Sequence, residues 1–242
     1  MTSKEKSPKK GTQFEFYMDL LGHDILNSNQ AVLSYLELIL ASPSADKKTK
    51  SFAEKAMIHV RTSTILIENV KRLIGTRNID FHELTPVDLV KAVEKAEVEL
   101  ARFYPGKTIS LAHASKVRSA IVYGDNIATD LILNVLVTAV GLNPGTDIRM
   151  TLAITEDKMR GDPVWVVRIE DRNAQLPPFL DGEGVAATYN QDISLAVKTT
   201  GMLSAKMIAG NLGGDFEAHP MSHEPKKTGA IFTIALRKVE KP

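Results

Sequence analysis

Three polar side chains near the N-terminus follow the order H-D-x-x-N, namely His23, Asp24 and Asn27. A carboxylate beside a histidine can hold the proton on one ring nitrogen, so that the other nitrogen is a free nucleophile. On a helix Asn27 lies one turn after His23, where its amide can orient a water molecule. This combination suits a histidine that accepts and donates a phosphoryl group, since that chemistry depends mainly on positioning and needs no enclosed pocket.

The segment that carries these residues has the apolar pattern of a long helix. Between Phe14 and about Ala41 the apolar positions recur in a heptad, and the seam consists of Met18, Leu21, Ile25, Ser28, Val32, Tyr35 and Ile39. That pattern predicts a helix whose seam packs on other helices, with His23 on the side that faces solvent. A lone exposed histidine is more often a plain surface residue. Here, however, Leu20 and Leu26 flank the polar group as a docking surface would.

A second long helix is predicted from Lys47 to about Arg77, after a break around Pro43. Two long helices joined by a short loop form an antiparallel hairpin. One hairpin has too little partner surface to bury a wide apolar stripe. We therefore expect residues 13–78 of two chains to form a dimeric four-helix bundle. The alternative is a hairpin that packs on the C-terminal domain of its own chain.

Residues 84–242 show helical and strand patterns in alternation. Thr85 is predicted to cap a helix from Pro86 to about Phe103, and the remainder contains five predicted strands and two further helices. This order indicates a two-layer α/β sandwich, so the chain as a whole is predicted to be α+β. The segment with His219 and His223 is predicted to be a loop. We expect no metal site there, because no third ligand has suitable spacing.

The composition limits the class of protein. The chain has 242 residues, of which 43% are apolar and 24% are charged, and its formal net charge is +1. These values are ordinary for a globular protein and give no field that favours nucleic acid or a membrane surface. There is no cysteine, no apolar run long enough to span a bilayer, and no apolar core in the lysine-rich residues 1–12. We expect a disordered basic tail over residues 1–12 and a cytoplasmic protein.

From about residue 12 onward the chain resembles the transmitter region of two-component sensor histidine kinases. The motif "GHDILN" is similar to the H-box of that family, and with the following "NQ" and "YLEL" it is most similar to archaeal members. The resemblance implies that His23 is the phosphorylated residue and Asp24 its acid–base partner. It also implies that Asn27 positions water when a response regulator is dephosphorylated. Ser28 stands where the family usually has proline, so the bend that a proline produces is not implied.

The α/β part resembles the ATP-binding domain of that family, the GHKL or Bergerat fold. In "GDNIATDLILNVLVTAVGLNP", similar to the N-box helix, Asn134 matches the first Asn and Thr138 replaces the Mg²⁺-binding Asn. In "IEDRNAQLPP" Asp171 matches the adenine-contacting acid, but both following glycines are replaced. The glycine-rich turn reads "TTGML" and keeps only Gly201.

These replacements predict a degenerate ATP site. Glycines in a phosphate loop let backbone amides approach an anion, and a kinase relies on Mg²⁺ to neutralise developing charge. The resemblance therefore implies a kinase-derived histidine phosphotransferase in a phosphorelay, in which His23 exchanges a phosphoryl group with receiver-domain aspartates. The receiver supplies Mg²⁺, and the chain itself holds no metal and binds no cofactor firmly. Asn134, Thr138, Asp171 and Gly201 contact nucleotide only if binding is retained.

Two other functions remain open at this point. The first is a divergent kinase that autophosphorylates His23 with ATP, which the order of the motifs favours. The second is a pseudokinase scaffold that binds a response regulator and transfers nothing. The presence of His23, Asp24 and Asn27 together argues against the scaffold, because docking alone does not require these three residues.

Overall fold

The computed structural model describes residues 10–75, 84–104, 106–177, 193–221 and 229–239. The chain divides into two compact units, Met1–Gly75 and Thr76–Pro242. Within the described ranges no helix is both long and apolar enough to cross a membrane.

The first unit is a pair of long helices. Helix α1 spans Lys10–Ala41 and helix α2 spans Lys47–Gly75. Asp46 caps α2, since its carboxylate accepts a hydrogen bond from the Thr49 amide at 2.7 Å, and this hydrogen bond lowers the pKa of Asp46. Helix α1 begins before the expected start at Phe14. Residues 10–12, which we expected in the tail, are helical, because extending a formed helix costs little. Residues 1–9 lie outside the described part of the chain.

Two adjacent stripes run along α1. The stripe that packs on α2 is buried or half-buried and consists of Gly22, Leu26, Asn29, Leu33, Leu36 and Leu40. The seam predicted from the heptad lies roughly 100° further around the helix. Its members Leu21, Ile25, Val32, Tyr35 and Ile39 are between 38% and 68% exposed in the single chain. The hairpin therefore covers one apolar stripe of α1 and leaves the predicted seam uncovered.

The second unit contains three helices and seven strands in its described part. In chain order they are β1 (Pro86–Asp88), α3 (Leu89–Phe103), β2 (Thr108–His113), β3 (Ile121–Tyr123), α4 (Asp125–Leu142), β4 (Asp147–Met159), β5 (Asp162–Asp171), α5 (Ile193–Asn211), β6 (Asp215–Pro220) and β7 (Ala230–Arg237). The main sheet has the order β2-β4-β5-β7-β6, in which only the β2–β4 pair is parallel. Strands β1 and β3 form a separate antiparallel pair. This architecture confirms the α/β part of the expected fold class, whereas the dimeric bundle stays a prediction.

The core of this unit lies between one face of the main sheet and the helices. Alternate strand residues are buried, among them Ile148, Met150, Leu152 and Ile154 on β4 and Phe232 and Ile234 on β7. Every residue from 131 to 140 of α4 is buried, which explains why that helix is apolar on all sides. Trp165 on β5 is 6% exposed and belongs to this core.

The prediction that Thr85 caps a helix is wrong. Residues 86–88 form β1, and α3 begins one residue after Asp88, which is its N-cap. The Asp88 carboxylate accepts hydrogen bonds from the amides of Val90 at 3.0 Å and Ala120 at 2.9 Å. Partial burial pulls the pKa of Asp88 upward, but the hydrogen bonds outweigh it, so that pKa lies below its usual value. Asp88 is the N-cap because its carboxylate bonds both the first turn of α3 and the amide of Ala120, which leads into β3.

The prediction of a loop around His219 is also wrong. Residues 215–220 form the edge strand β6, paired antiparallel with β7. The Nε2 of His219 lies 3.1 Å from Oε2 of Glu217, two residues earlier on the same side of the strand. Sequence reasoning missed this strand because it has six residues, no β-branched side chain and a terminal proline. His223 lies outside the described residues.

Candidate functional site

Helix α1 holds the H-D-x-x-N side chains on a surface that α2 does not cover. The side chains of His23 and Asp24 are each 68% exposed, and Asn27 is exposed as well. Gly22 belongs to the stripe that packs on α2, so His23 points roughly 100° away from that contact. The imidazole is therefore open to a reactant as large as another protein domain.

The three side chains lie within hydrogen-bonding distance of one another. Nδ1 of His23 is 3.3 Å from Oδ1 of Asp24, and Nδ2 of Asn27 is 3.2 Å from Nδ1 and 3.4 Å from Nε2 of His23. Asp24 can accept a hydrogen bond only from a protonated Nδ1, whereas the Asn27 amide can donate only to an unprotonated ring nitrogen. With the proton on Nδ1, Asp24 accepts from Nδ1 and Asn27 donates to the lone pair of Nε2 at 3.4 Å, so both conditions are met, and Nε2 can attack once Asn27 releases it. This arrangement favours Nε2 as the nucleophile.

Ser28 bonds the helix backbone one turn before its own position. Its Oγ donates a hydrogen bond to the carbonyl oxygen of Asp24 at 2.9 Å. A proline at this position would remove the backbone amide and kink the helix. With Ser28, α1 runs as one helix from Lys10 to Ala41, so the H-D-x-x-N residues lie on one continuous helical surface.

Gly22 permits a close contact between the two helices next to His23. A Cβ atom at Gly22 would lie 2.8 Å from Cδ of Lys71 and 3.5 Å from Cγ2 of Ile67, both on α2. Glycine in a helix interior costs about 1 kcal/mol relative to alanine. The close approach of α2 is the physical reason for a glycine here, and it places the aliphatic stem of Lys71 across the α1 backbone.

In the second unit, α4 and α5 bring Asn134 and Gly201 together. The Asn134 amide donates a buried hydrogen bond to the carbonyl oxygen of Gly201 at 3.1 Å. Gly201 lies inside the 19-residue helix α5, which the sequence pattern predicts from about Ile193 to Leu212, so the residues that match the family's glycine-rich turn are helical here. Without a second glycine the backbone loses the freedom that such a turn needs, and the helix continues through it.

Thr138 lies one turn after Asn134 on α4 and is 6% exposed. Among the described residues, Oδ1 of Asn134 and Oγ of Ser204 on α5 are buried without a hydrogen-bond partner. Asn134 therefore takes part in the contact between α4 and α5, and Thr138 is buried rather than on an open surface.

Asp171 is fully buried at the end of β5 and is bonded within the protein. Both of its carboxylate oxygens accept hydrogen bonds from Nδ2 of Asn143, at 2.9 and 2.8 Å, and Oδ1 also accepts one from the amide of Asn173 at 2.8 Å. Asn143 is the C-cap residue of α4. Three acceptor positions of the carboxylate are thus occupied by the chain itself, and they join the end of β5 to the end of α4.

Asn143 is the residue that sequence reasoning missed. Its Oδ1 accepts a hydrogen bond from the amide of Gly145 at 2.9 Å, and its backbone oxygen accepts one from Nζ of Lys107 at 2.8 Å. The available signal was its place between the last apolar residue of α4 and Pro144, where a polar side chain often closes a helix. Two of the predicted nucleotide-site residues, Asn134 and Gly201, are joined to each other, whereas Asp171 is bonded to Asn143 and Asn173.

The fold is similar to that of solved sensor histidine kinase structures. No protein-family model matches the sequence, and no curated protein matches it either. The mycobacterial sensor histidine kinase MprB superposes with a TM-score of 0.50 at 16% identity, over 65% of this chain and 99% of that one. Full-length ShkA, solved in complex with AMPPNP, superposes with a TM-score of 0.55 at 14% identity, over 93% of this chain and 46% of ShkA. The chain thus has the fold of a sensor histidine kinase transmitter region.

Proposed function

We propose that this chain is a histidine phosphotransferase of a two-component phosphorelay, which carries a phosphoryl group on His23 between the aspartates of receiver domains. The observation that carries the proposal is the exposed group of His23, Asp24 and Asn27 on α1, with its ring nitrogens 3.2–3.4 Å from the flanking carboxylate and amide. The fold provides the second support, since transmitter regions communicate with response regulators.

In the proposed reaction the lone pair on Nε2 of His23 attacks the phosphorus of the receiver's aspartyl phosphate. The new P–N bond forms while the P–O bond to the aspartate breaks, and the aspartate leaves as a carboxylate. The proton stays on Nδ1, where Asp24 offsets the positive charge of the imidazolium. The Mg²⁺ of the receiver neutralises charge on the transferring group, and transfer to a second receiver is the same step in reverse.

The second unit supports transfer without nucleotide. Asp171 is occupied by Asn143 and Asn173, Gly201 is inside a helix, and Thr138 is buried. These residues do not form the open set of ligands that Mg²⁺ and a triphosphate require. We assign to this unit a role in docking receivers.

The competing function is a divergent kinase that phosphorylates His23 with ATP. The fold likeness to ShkA, solved with a bound ATP analogue, favours it. Calorimetric titration of the full chain with Mg²⁺-ATP separates the two functions, and we expect no saturable heat up to millimolar nucleotide. Inorganic triphosphate serves as the control for nonspecific anion binding. A micromolar dissociation constant for Mg²⁺-ATP alone would favour the kinase and contradict the proposal.

A homodimer through residues 13–78 is part of the proposal. The uncovered seam on α1 contains Leu21, Ile25, Val32 and Ile39, and a second copy of the hairpin has the same stripe to pair with. Because the two copies carry the same seam with the same heptad period, a four-helix bundle of two hairpins is favoured over a different partner.

Val32→Glu is therefore expected to convert the protein into monomers, because it places a charge in the middle of the seam. Analytical ultracentrifugation measures the change. Leu38→Glu is the matched control, since Leu38 is 67% exposed and lies on α1 outside the seam. Equal effects of the two substitutions, or a wild-type monomer, would contradict the bundle.

A further inference from the structure

We propose that Lys71 is a phosphoryl-binding residue of the His23 site, whose ammonium group lies beside the phosphoryl group once His23 carries it. This inference rests on the proposed function and adds a residue from α2 to a site that the sequence motif places on α1 alone.

The first support is the contact at Gly22. An added Cβ there would lie 2.8 Å from Cδ and 3.2 Å from Cγ of Lys71, so the lysine stem runs directly over the α1 backbone. Gly22 is buried and immediately precedes His23. Ile67, one turn earlier on α2, lies on the same glycine at 3.5 Å from that Cβ position. Lys71 therefore occupies a helix-contact position, where an apolar residue is the usual choice.

The second support is the direction that the ammonium group must take. A lysine in such a contact keeps its stem on the apolar surface and extends its charge toward water. On one side of the Gly22 stripe lies the uncovered seam with Leu21 and Ile25, which a second hairpin covers in the proposed dimer. On the other side lies His23, whose side chain is 68% exposed. In the proposed dimer a charge in the seam is costly, which favours the side of His23 for the ammonium group.

The third support is the charge balance of the reaction. A phosphoryl group on His23 adds close to two negative charges next to the carboxylate of Asp24. A cation within a few ångströms offsets that repulsion without blocking Nε2. Lys71 already has an interaction within the unphosphorylated protein. In the phosphorylated protein the phosphoryl group is a further partner of that ammonium group.

The test uses a small phosphoryl donor, phosphoramidate, so that no receiver is needed. The His23 nitrogen attacks phosphorus, and the P–N bond of the donor breaks. Phosphoramidate is a zwitterion whose nitrogen already carries three protons, so neutral ammonia leaves. The rate of labelling of His23 in the full chain is followed by phosphorus NMR. Lys71→Met keeps the stem and removes the charge, and we expect about tenfold slower labelling at low salt. Lys71→Arg should keep most of the rate.

Two comparisons distinguish electrostatic placement from a structural role. The difference between wild type and Lys71→Met should shrink at high salt, because screening weakens an exposed charge interaction. Gly22→Ala, which displaces the stem but keeps the charge, should also slow labelling. Lys55→Met, which removes an exposed charge from α2, is the matched control and should leave the rate unchanged.

Three outcomes overturn the inference. One is a Lys71→Met rate within twofold of wild type while His23 is labelled normally, which leaves the proposed function in place. Another is a slow rate that neither salt nor arginine changes, which indicates a structural role. The third is a wild-type protein that takes no label on His23, which overturns the proposed function together with this inference.

Discussion

Replacing His23 with Gln is expected to reduce acid-labile phosphoryl labelling of the protein to background with every donor that labels the wild type. Glutamine keeps a polar, helix-compatible side chain but has no ring nitrogen to form the P–N bond. Because the side chain of His23 is 68% exposed, the substitution should leave the free energy of unfolding within about 0.5 kcal/mol of wild type. Labelling that is stable in base and lost in acid identifies phosphohistidine.

The matched control is His59→Gln, which replaces an exposed histidine on α2 of the same hairpin. It should label like wild type. A His23→Gln protein that keeps its label would mean that another residue is the acceptor. A wild type that never labels, yet binds a receiver as tightly as His23→Gln does, would favour the scaffold function instead.

Asn143→Ala is expected to destabilise the second unit by about 2–3 kcal/mol, the usual cost of leaving hydrogen-bonding positions of a buried polar group unfilled. The substitution removes the amide that donates to both oxygens of Asp171, a side chain that is 0% exposed. Urea unfolding followed by the fluorescence of Trp165, the one tryptophan of the chain, measures this unit specifically, since Trp165 and Asp171 lie on the same strand.

Asn173→Ala is the matched control, because it removes an exposed amide while the backbone N–H that bonds Asp171 remains. We expect a change within about 0.5 kcal/mol. Adding Asp171→Ala to Asn143→Ala should recover part of the lost stability, since the buried carboxylate that lost its Asn143 partner is then gone. An Asn143→Ala protein as stable as the control would show that the Asp171 contact contributes little.

The sequence predicted the secondary structure of the second unit well where the patterns were long. The two strands on either side of residues 160–161 and the apolar helix α4 each carry ten or more residues of consistent pattern. Short elements were not predictable in the same way. Strand β6 and the three-residue β1 depend on pairing with β7 and β3, and such tertiary pairing is invisible in a local window.

The candidate site was predictable only in part, for a related reason. The spacing of His23, Asp24 and Asn27 follows from helix geometry and could be predicted from sequence. The heptad identified an apolar stripe on α1 but not which of two adjacent stripes α2 covers, because one residue of register changes the answer by roughly 100°. The partners of Asp171 and of Gly22 depend on contacts between elements distant in sequence. Asn143 and Lys71 therefore became evident only in three dimensions.

The central claim is that His23 exchanges a phosphoryl group with receiver aspartates and needs no nucleotide. The most direct measurement charges purified receiver domains with labelled acetyl phosphate, removes the donor, and adds the full chain in the absence of ATP. We expect label to move from the receiver to His23 and then to a second, uncharged receiver, with Mg²⁺ present. Label that reaches His23 only from Mg²⁺-ATP, and never from a charged receiver, would contradict the account and identify the protein as a kinase.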